Sequence, residues 1–187
     1  MKKGMIALIV IAVIVLGAFG WIFTTYNSLV TLNENVNSKW SQVDNQLQRR
    51  ADLIPNLVAT VKGYAAHESG VFKEVADARS RLIGAKGPAE AATANDSLNS
   101  SLSRLLAISE SYPQLKADAN FRQLQDELAG TENRLAVARM DYNNSVQQFN
   151  TQIKRFPTVI IAGMTGYNAK EYFKAQAGAE NAPKVNF

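Results

Sequence analysis

The run from Gly4 to Phe23 contains no charge, and it passes into a helical pattern without a Gly/Pro turn between them. Twenty residues of helix at about 1.5 Å each span about 30 Å, the thickness of a bilayer's hydrocarbon core. A cleaved secretory signal is the rival reading, because Lys2 and Lys3 form a positive leader. The apolar run is longer than such a signal needs. Its one small-x-small site, Ala18-Phe19-Gly20, is followed by further apolar residues. The run therefore reads as a retained single-span anchor over residues 1–25 that continues directly into the first helix of the body. Trp21 and Tyr26 suit the membrane interface.

Lys2 and Lys3 lie before the span, and the first cation after it is Lys39. The positive-inside rule then expects a cytoplasmic amino terminus and a body on the periplasmic or extracytoplasmic side of a bacterial inner membrane.

Beyond Leu29 the apolar or small positions are Leu29, Leu32, Val36, Trp40, Val43, Leu47, Ala51, Ile54, Val58, Val61 and Ala65. Their mean spacing of about 3.6 is the period of a straight helix with one buried stripe. Pro55 removes one backbone hydrogen bond, so a kink is expected there. The pattern continues through Val71, Phe72, Val75, Ala78 and Leu82 and stops at Gly84. Pro88 fits the first turn of a second helix, marked by Leu98, Leu102, Leu105 and Ile108 and ending at Tyr112-Pro113. The Ala/Gly-rich stretch 86–95 reads as a variable loop. After a connector, Asn120 with Gln123 resembles a capping box for a third helix. That helix carries Phe121, Leu124, Leu128, Leu135, Tyr142, Val146, Phe149 and Ile153 and stops before Pro157. Thr158–Ala177 reads as a shorter apolar helix loosened by Gly163 and Gly166. No segment alternates as a strand does. The expected fold is all-α: a transmembrane helix continuing into an elongated antiparallel bundle over residues 26–178. Three long helices and a short C-terminal one make up that bundle, and residues 179–187 form an irregular tail.

Chemistry is sparse. The 187 residues contain no cysteine, which removes disulfides, thiolate nucleophiles and Cys-based metal sites. The net charge is +4, but without Lys2 and Lys3 the remaining 18 cations face 16 anions, and they are interspersed. Nucleic acid is therefore not an expected partner. His67-Glu68 would begin an H-E-x-x-H zinc helix, yet the second histidine position is Val71. A surface or partly buried histidine, or a proton-sensitive contact, is the plainer reading. There is no G-x-S-x-G elbow and no phosphate-binding glycine loop. No cofactor, metal or small-molecule substrate is expected. What remains is a candidate interaction patch: Arg49, Arg50 and Asp52 before Pro55, His67 and Glu68, and the polar centre of the third helix at Arg139, Tyr142 and Asn143. Antiparallel packing could set Arg139 opposite an acid such as Asp52. The plentiful Asn and Gln could bond across helices and fix register.

Several blocks together resemble the LemA family of bacterial single-span membrane proteins. They include Tyr26-Asn27-x-Leu29-Val30, and the run Trp40-Ser-Gln-Val43-Asp-x-Gln-Leu47-x-Arg49-Arg50-Ala-Asp52-Leu53-Ile54-Pro55-Asn56-Leu57-Val58. Further along stand Val61-Lys-Gly-Tyr64-x-x-His67-Glu68, Tyr112-Pro113-x-Leu115-Lys116, Leu124-Gln-x-Glu127-Leu-x-Gly130-Thr131-Glu132-Asn133-Arg134, Ala138-Arg139-x-x-Tyr142-Asn143 and Phe156-Pro157. The resemblance implies an N-terminal anchor and an antiparallel helical bundle, and it brings no enzymatic activity. It also implies companionship with membrane peptidases or envelope-stress systems. The long, kinked rod with its Asn/Gln-rich faces and aromatic C-terminal segment is expected to be a non-enzymatic scaffold that sits in the lipid bilayer and self-associates as a homo-oligomer. The alternative is an adaptor or sensor that binds another envelope protein.

Overall fold

The computed structural model describes residues 2–174. Among them every regular element is helical: α1 (Lys2–Tyr64), α2 (Ser69–Gly84), α3 (Pro88–Ser111), α4 (Pro113–Ala117), α5 (Ala119–Lys154) and α6 (Thr158–Thr165). The expected tail at 179–187 lies outside the described residues.

α1 holds the apolar run at its start. Its most apolar 18-residue window has a mean hydropathy of 2.9 and buries nothing against the rest of the protein. It is long and apolar enough to cross a membrane. Past Thr25 the helix turns amphipathic, and the stripe read from the spacing goes inward at Leu29, Val36, Val43, Leu47, Ala51, Ile54 and Val61.

The stripe does not belong to one helix, however. The chain breaks after Tyr64, through a turn in which the Ala65 amide donates to Val61 and the Glu68 amide to Ala65, and α2 starts afresh at Ser69. Pro55 does not end α1. Lacking an N–H, it leaves the Ala51 carbonyl without its helical donor, and Arg79 Nε of α2 donates to that carbonyl at 2.8 Å.

α2 packs against α3. The stretch expected as a loop at 86–95 is mostly helix. Gly87, at φ 86°, turns the chain, Pro88 opens α3, and Ala91, Ala92, Ala94 and Asn95 are buried. Alanines keep this contact close, and their small side chains made it look like linker. The start of α5 is also shifted from expectation. Asp118 is the cap, its Oδ1 accepting from the Phe121 amide at 2.9 Å, while Gln123 bonds Glu127 one turn on. α6 is shorter than the Thr158–Ala177 helix expected. Gly166, at φ 76°, ends it, with the Tyr167 amide donating to the Ala162 carbonyl. Residues 167–174 are irregular, and 175–177 lie outside the described residues.

The chain forms two compact units. One comprises the segment up to Ser38 with Asn144–Lys170; the other comprises Lys39–Asn143 with the chain from Glu171. In the second unit the ion pairs Lys39–Asp141 and Arg50–Glu132 set α1 against α5 in antiparallel register.

Candidate functional site

Neighbouring residues on a helix point about 100° apart, so Arg49 and Arg50 cannot share a face. Arg49 is exposed, while Arg50 is 6% exposed and lies on the apolar stripe between Leu47 and Ile54. Its Nη1 donates to Asn95 Oδ1 of α3 at 3.0 Å and to Glu132 of α5, and its Nη2 donates to Asn99 of α3. One guanidinium thus joins three helices of the second unit. Burial pulls its pKa below the ordinary arginine value, and the Glu132 carboxylate opposes that pull. Arg50 Nε and Asn95 Nδ2 are buried without a partner among the described residues. Both Nη atoms donate to side chains of other helices, so this arginine holds helices together rather than offering a surface for a ligand.

The polar centre of α5 is drawn toward the C-terminal segment. Arg139, Tyr142 and Asn143 all engage residues 171–173. The Arg139 guanidinium lies 4.5 Å from the Phe173 ring centre, Tyr142 OH donates to the Glu171 carbonyl at 2.8 Å, and Asn143 makes a reciprocal pair with Phe173. Trp40 of α1 completes the cluster, with ring centres 5.4 Å from Tyr142 and 6.4 Å from Phe173. Burial, helped by the Glu171 charge, pushes the Tyr142 hydroxyl up to about 12. Arg139 does not face Asp52, which instead accepts from Gln48. A separate groove on α1 and α5 is lined by Gln42, Gln46, Asn133, Arg134, Val137 and Asp141.

His67 is exposed in the turn after α1, beside the half-buried Glu68. Among the described residues no group of three or more His, Cys, Asp or Glu is placed to hold a metal ion. Trp21 and Tyr26 are each 41% exposed on α1, flanking the end of the apolar run.

Several residues were not expected at a site. Asn95, Asn99 and Glu132 complete the Arg50 clamp, Arg79 takes the carbonyl freed by Pro55, and Trp40 and Phe173 build the aromatic cluster. In the first unit Asn150 repeats the Asn143 device. Its Nδ2 donates to the Lys170 carbonyl at 2.9 Å and its Oδ1 accepts from the Lys170 amide at 2.7 Å. Phe149 meets the Tyr167 ring edge-on at 5.7 Å.

These features define a class: a helical protein whose long first helix opens with a membrane-length apolar run, and whose most distinctive polar groups are committed to joining its own elements. The LemA family profile matches residues 39–187, and the chain belongs to the LemA family. It is similar to Magnetosome protein MamQ 2 of Paramagnetospirillum magneticum, 28% identical over 201 residues, covering 93% of this chain and 74% of that protein. Similarity to Magnetosome protein MamQ of Magnetospirillum gryphiswaldense is also 28%, over 92% of this chain and 74% of that one.

Proposed function

We propose that this chain is a non-enzymatic scaffold, anchored in the bacterial inner membrane by Gly4–Phe23, that self-associates through its extracytoplasmic helices. The observation that carries the reading is the groove between α1 and α5 in the second unit. Val137 and Met140 stand one turn apart on α5, 56% and 57% exposed. Beside Val137 the groove is lined with amides, and Gln46 Oε1 is buried there without a donor among the described residues. Exposed apolar side chains beside amides suit a second copy presenting the same face. Anchors in one membrane hold copies parallel, as cyclic assembly requires. The MamQ relatives, named for the magnetosome, fit a protein that works as part of a larger body.

Light scattering and negative-stain imaging of full-length protein in mild detergent test this. A discrete particle of more than one copy is expected. Val137→Glu should dissociate it with helicity unchanged. A monomer at every concentration would overturn the proposal.

An adaptor role is the second reading, favoured by the exposure of Arg49, Asp52 and His67. Since Arg50 is interior, its test is charge reversal at Arg49 alone. Crosslinking to an envelope partner, such as a membrane peptidase or stress-response component, should then be lost while the fold persists. Retained crosslinking would remove this reading.

A further inference from the structure

We propose that α6 and the Phe156 turn before it form a second lipid contact, seated in the interface of the bilayer that holds the anchor. The proposal rests on the anchor reading of Gly4–Phe23 and is independent of self-association. α6 is apolar on both sides. Thr158, Ile161 and Ala162 are buried, whereas Phe156, Val159, Ile160 and Met164 are 81%, 44%, 54% and 83% exposed. Within α6, Val159, Ile160 and Met164 fall within about 140° of one another, on one outward face, and Phe156 is exposed in the turn before it. A short helix with apolar residues all round calls for a cover on its outer side.

Three observations within the first unit make that cover lipid. The first is position. Arg155, the residue after α5, lines a groove with Leu32, which lies nine residues, about 14 Å, beyond Phe23. The second is burial at the span's exit. Thr25 is only 8% exposed although it lies two residues past the apolar run. A helix cannot cover its own side chains to that degree, and the other part of this compact unit is Asn144–Lys170. That segment therefore reaches the point where α1 leaves the bilayer. The third is charge. Asn144–Lys170 contains Lys154, Arg155 and Lys170 and no acidic residue, and Lys154 and Arg155 directly precede Phe156. Cations beside exposed Phe, Ile and Met match a surface that offers acyl chains and anionic headgroups together.

The absence of cysteine permits single nitroxide labels on the full-length chain in phosphatidylglycerol vesicles. Labels at Ile160→Cys and Met164→Cys would be compared with Val13→Cys in the span and Ser80→Cys on the exposed face of α2. Collision rates with oxygen and with a water-soluble nickel chelate report depth. Expected at 160 and 164 is an oxygen-over-nickel ratio well above that at 80 and below that at 13, as an interfacial depth requires. Nickel preference at 160 and 164, with oxygen preference retained at 13, would overturn the lipid contact alone. Nickel preference at 13 as well would overturn the anchor reading and the contact with it. Spin–spin broadening at 164 that disappears on dilution with unlabelled protein would assign the face to a second copy and overturn the proposal. Lys154→Glu with Arg155→Glu should move the label at 164 toward water in phosphatidylglycerol but not in phosphatidylcholine. An unchanged depth would remove the electrostatic part.

Discussion

The two units solve the same packing problem with different chemistry. The second unit is joined at its centre by a buried charge. Arg50 reaches α3 through Asn95 and Asn99 and α5 through Glu132. The described part of the first unit contains no ion pair, relies on apolar contacts and the Asn150 tether, and leaves much apolar surface outside. A buried guanidinium accepts few neighbours, so it specifies which helices meet. An apolar face accepts any apolar cover, so it does not by itself specify its neighbour.

Removing the charge breaks this contrast most sharply. Arg50→Ala strands Glu132 and the Asn95 amide, and a loss of about 2–4 kcal/mol is expected in denaturant unfolding of the full-length protein. Glu132 is 38% exposed, and solvent screening keeps the value below that of a wholly buried pair. Arg50→Met with Glu132→Leu should recover much of that loss. If the single variant is neutral, the charge does not organise the second unit.

The paired asparagines test the division itself. Asn143→Ala and Asn150→Ala each remove two hydrogen bonds, a loss of about 1–3 kcal/mol. Hydrogen exchange should quicken at the Phe173 amide in the first variant and at the Lys170 amide in the second. Equal quickening at both amides in either variant would mean that the units do not open separately.

Arg79→Ala leaves the Ala51 carbonyl without a donor and should destabilise the second unit by about 1–2 kcal/mol. In a Pro55→Ala background the restored backbone N–H takes that carbonyl, and the loss at Arg79 should shrink. An unchanged loss would show that Arg79 acts through something other than the Pro55 gap.

A pH effect is expected in the second unit. The Tyr142 hydroxyl is raised from 10.0 to about 12 in the folded state. Its stabilisation is therefore complete below pH about 10 and is lost as pH rises toward 12, because the unfolded chain ionises first. Unfolding followed across that window should show a slope that Tyr142→Phe reduces. An identical slope in the variant would discount the tyrosine.

The smallest change is expected at Arg104–Glu74, whose side chains are 67% and 49% exposed. Glu74→Gln should shift stability by less than about 0.5 kcal/mol. A loss rivalling that at Arg50 would erase the distinction between buried and surface charge.

Much of the helical plan is legible in the apolar spacing, because burial at Leu29, Val43, Leu98, Phe121 and Val146 follows a period that only a helix satisfies. The break at 65–68 is hidden because that period continues across it from Val61 and Ala65 to Val71 and Phe72. Pro55 looked like the weak point, but a donor 24 residues later in the chain takes up its lost bond, and spacing within α1 carries no trace of that donor. Asn95 was obscured by the alanines around it, which give little hydropathy signal yet allow the closest approach. The separation of Arg49 from Arg50 was readable, since Arg50 falls three residues after Leu47 and four before Ile54 on the buried stripe. The asparagine tethers also left a trace. Asn143 and Asn150 are seven helical residues apart, about 10 Å of rise. Their partners Lys170 and Phe173 are three residues apart, about 10 Å in extended chain.

Arg50 also sets a timetable for biosynthesis. Its partners are 45, 49 and 82 residues further along the chain. At about 5–20 residues per second, roughly 4–16 s separate synthesis of Arg50 from that of Glu132. By then the apolar run at the start of α1 has long since emerged from the ribosome, so the arginine waits in a chain whose first segment is already outside it. Any ribosomal pause between α3 and α5 lengthens that wait, during which this half-made domain is open to proteases and to neighbouring copies.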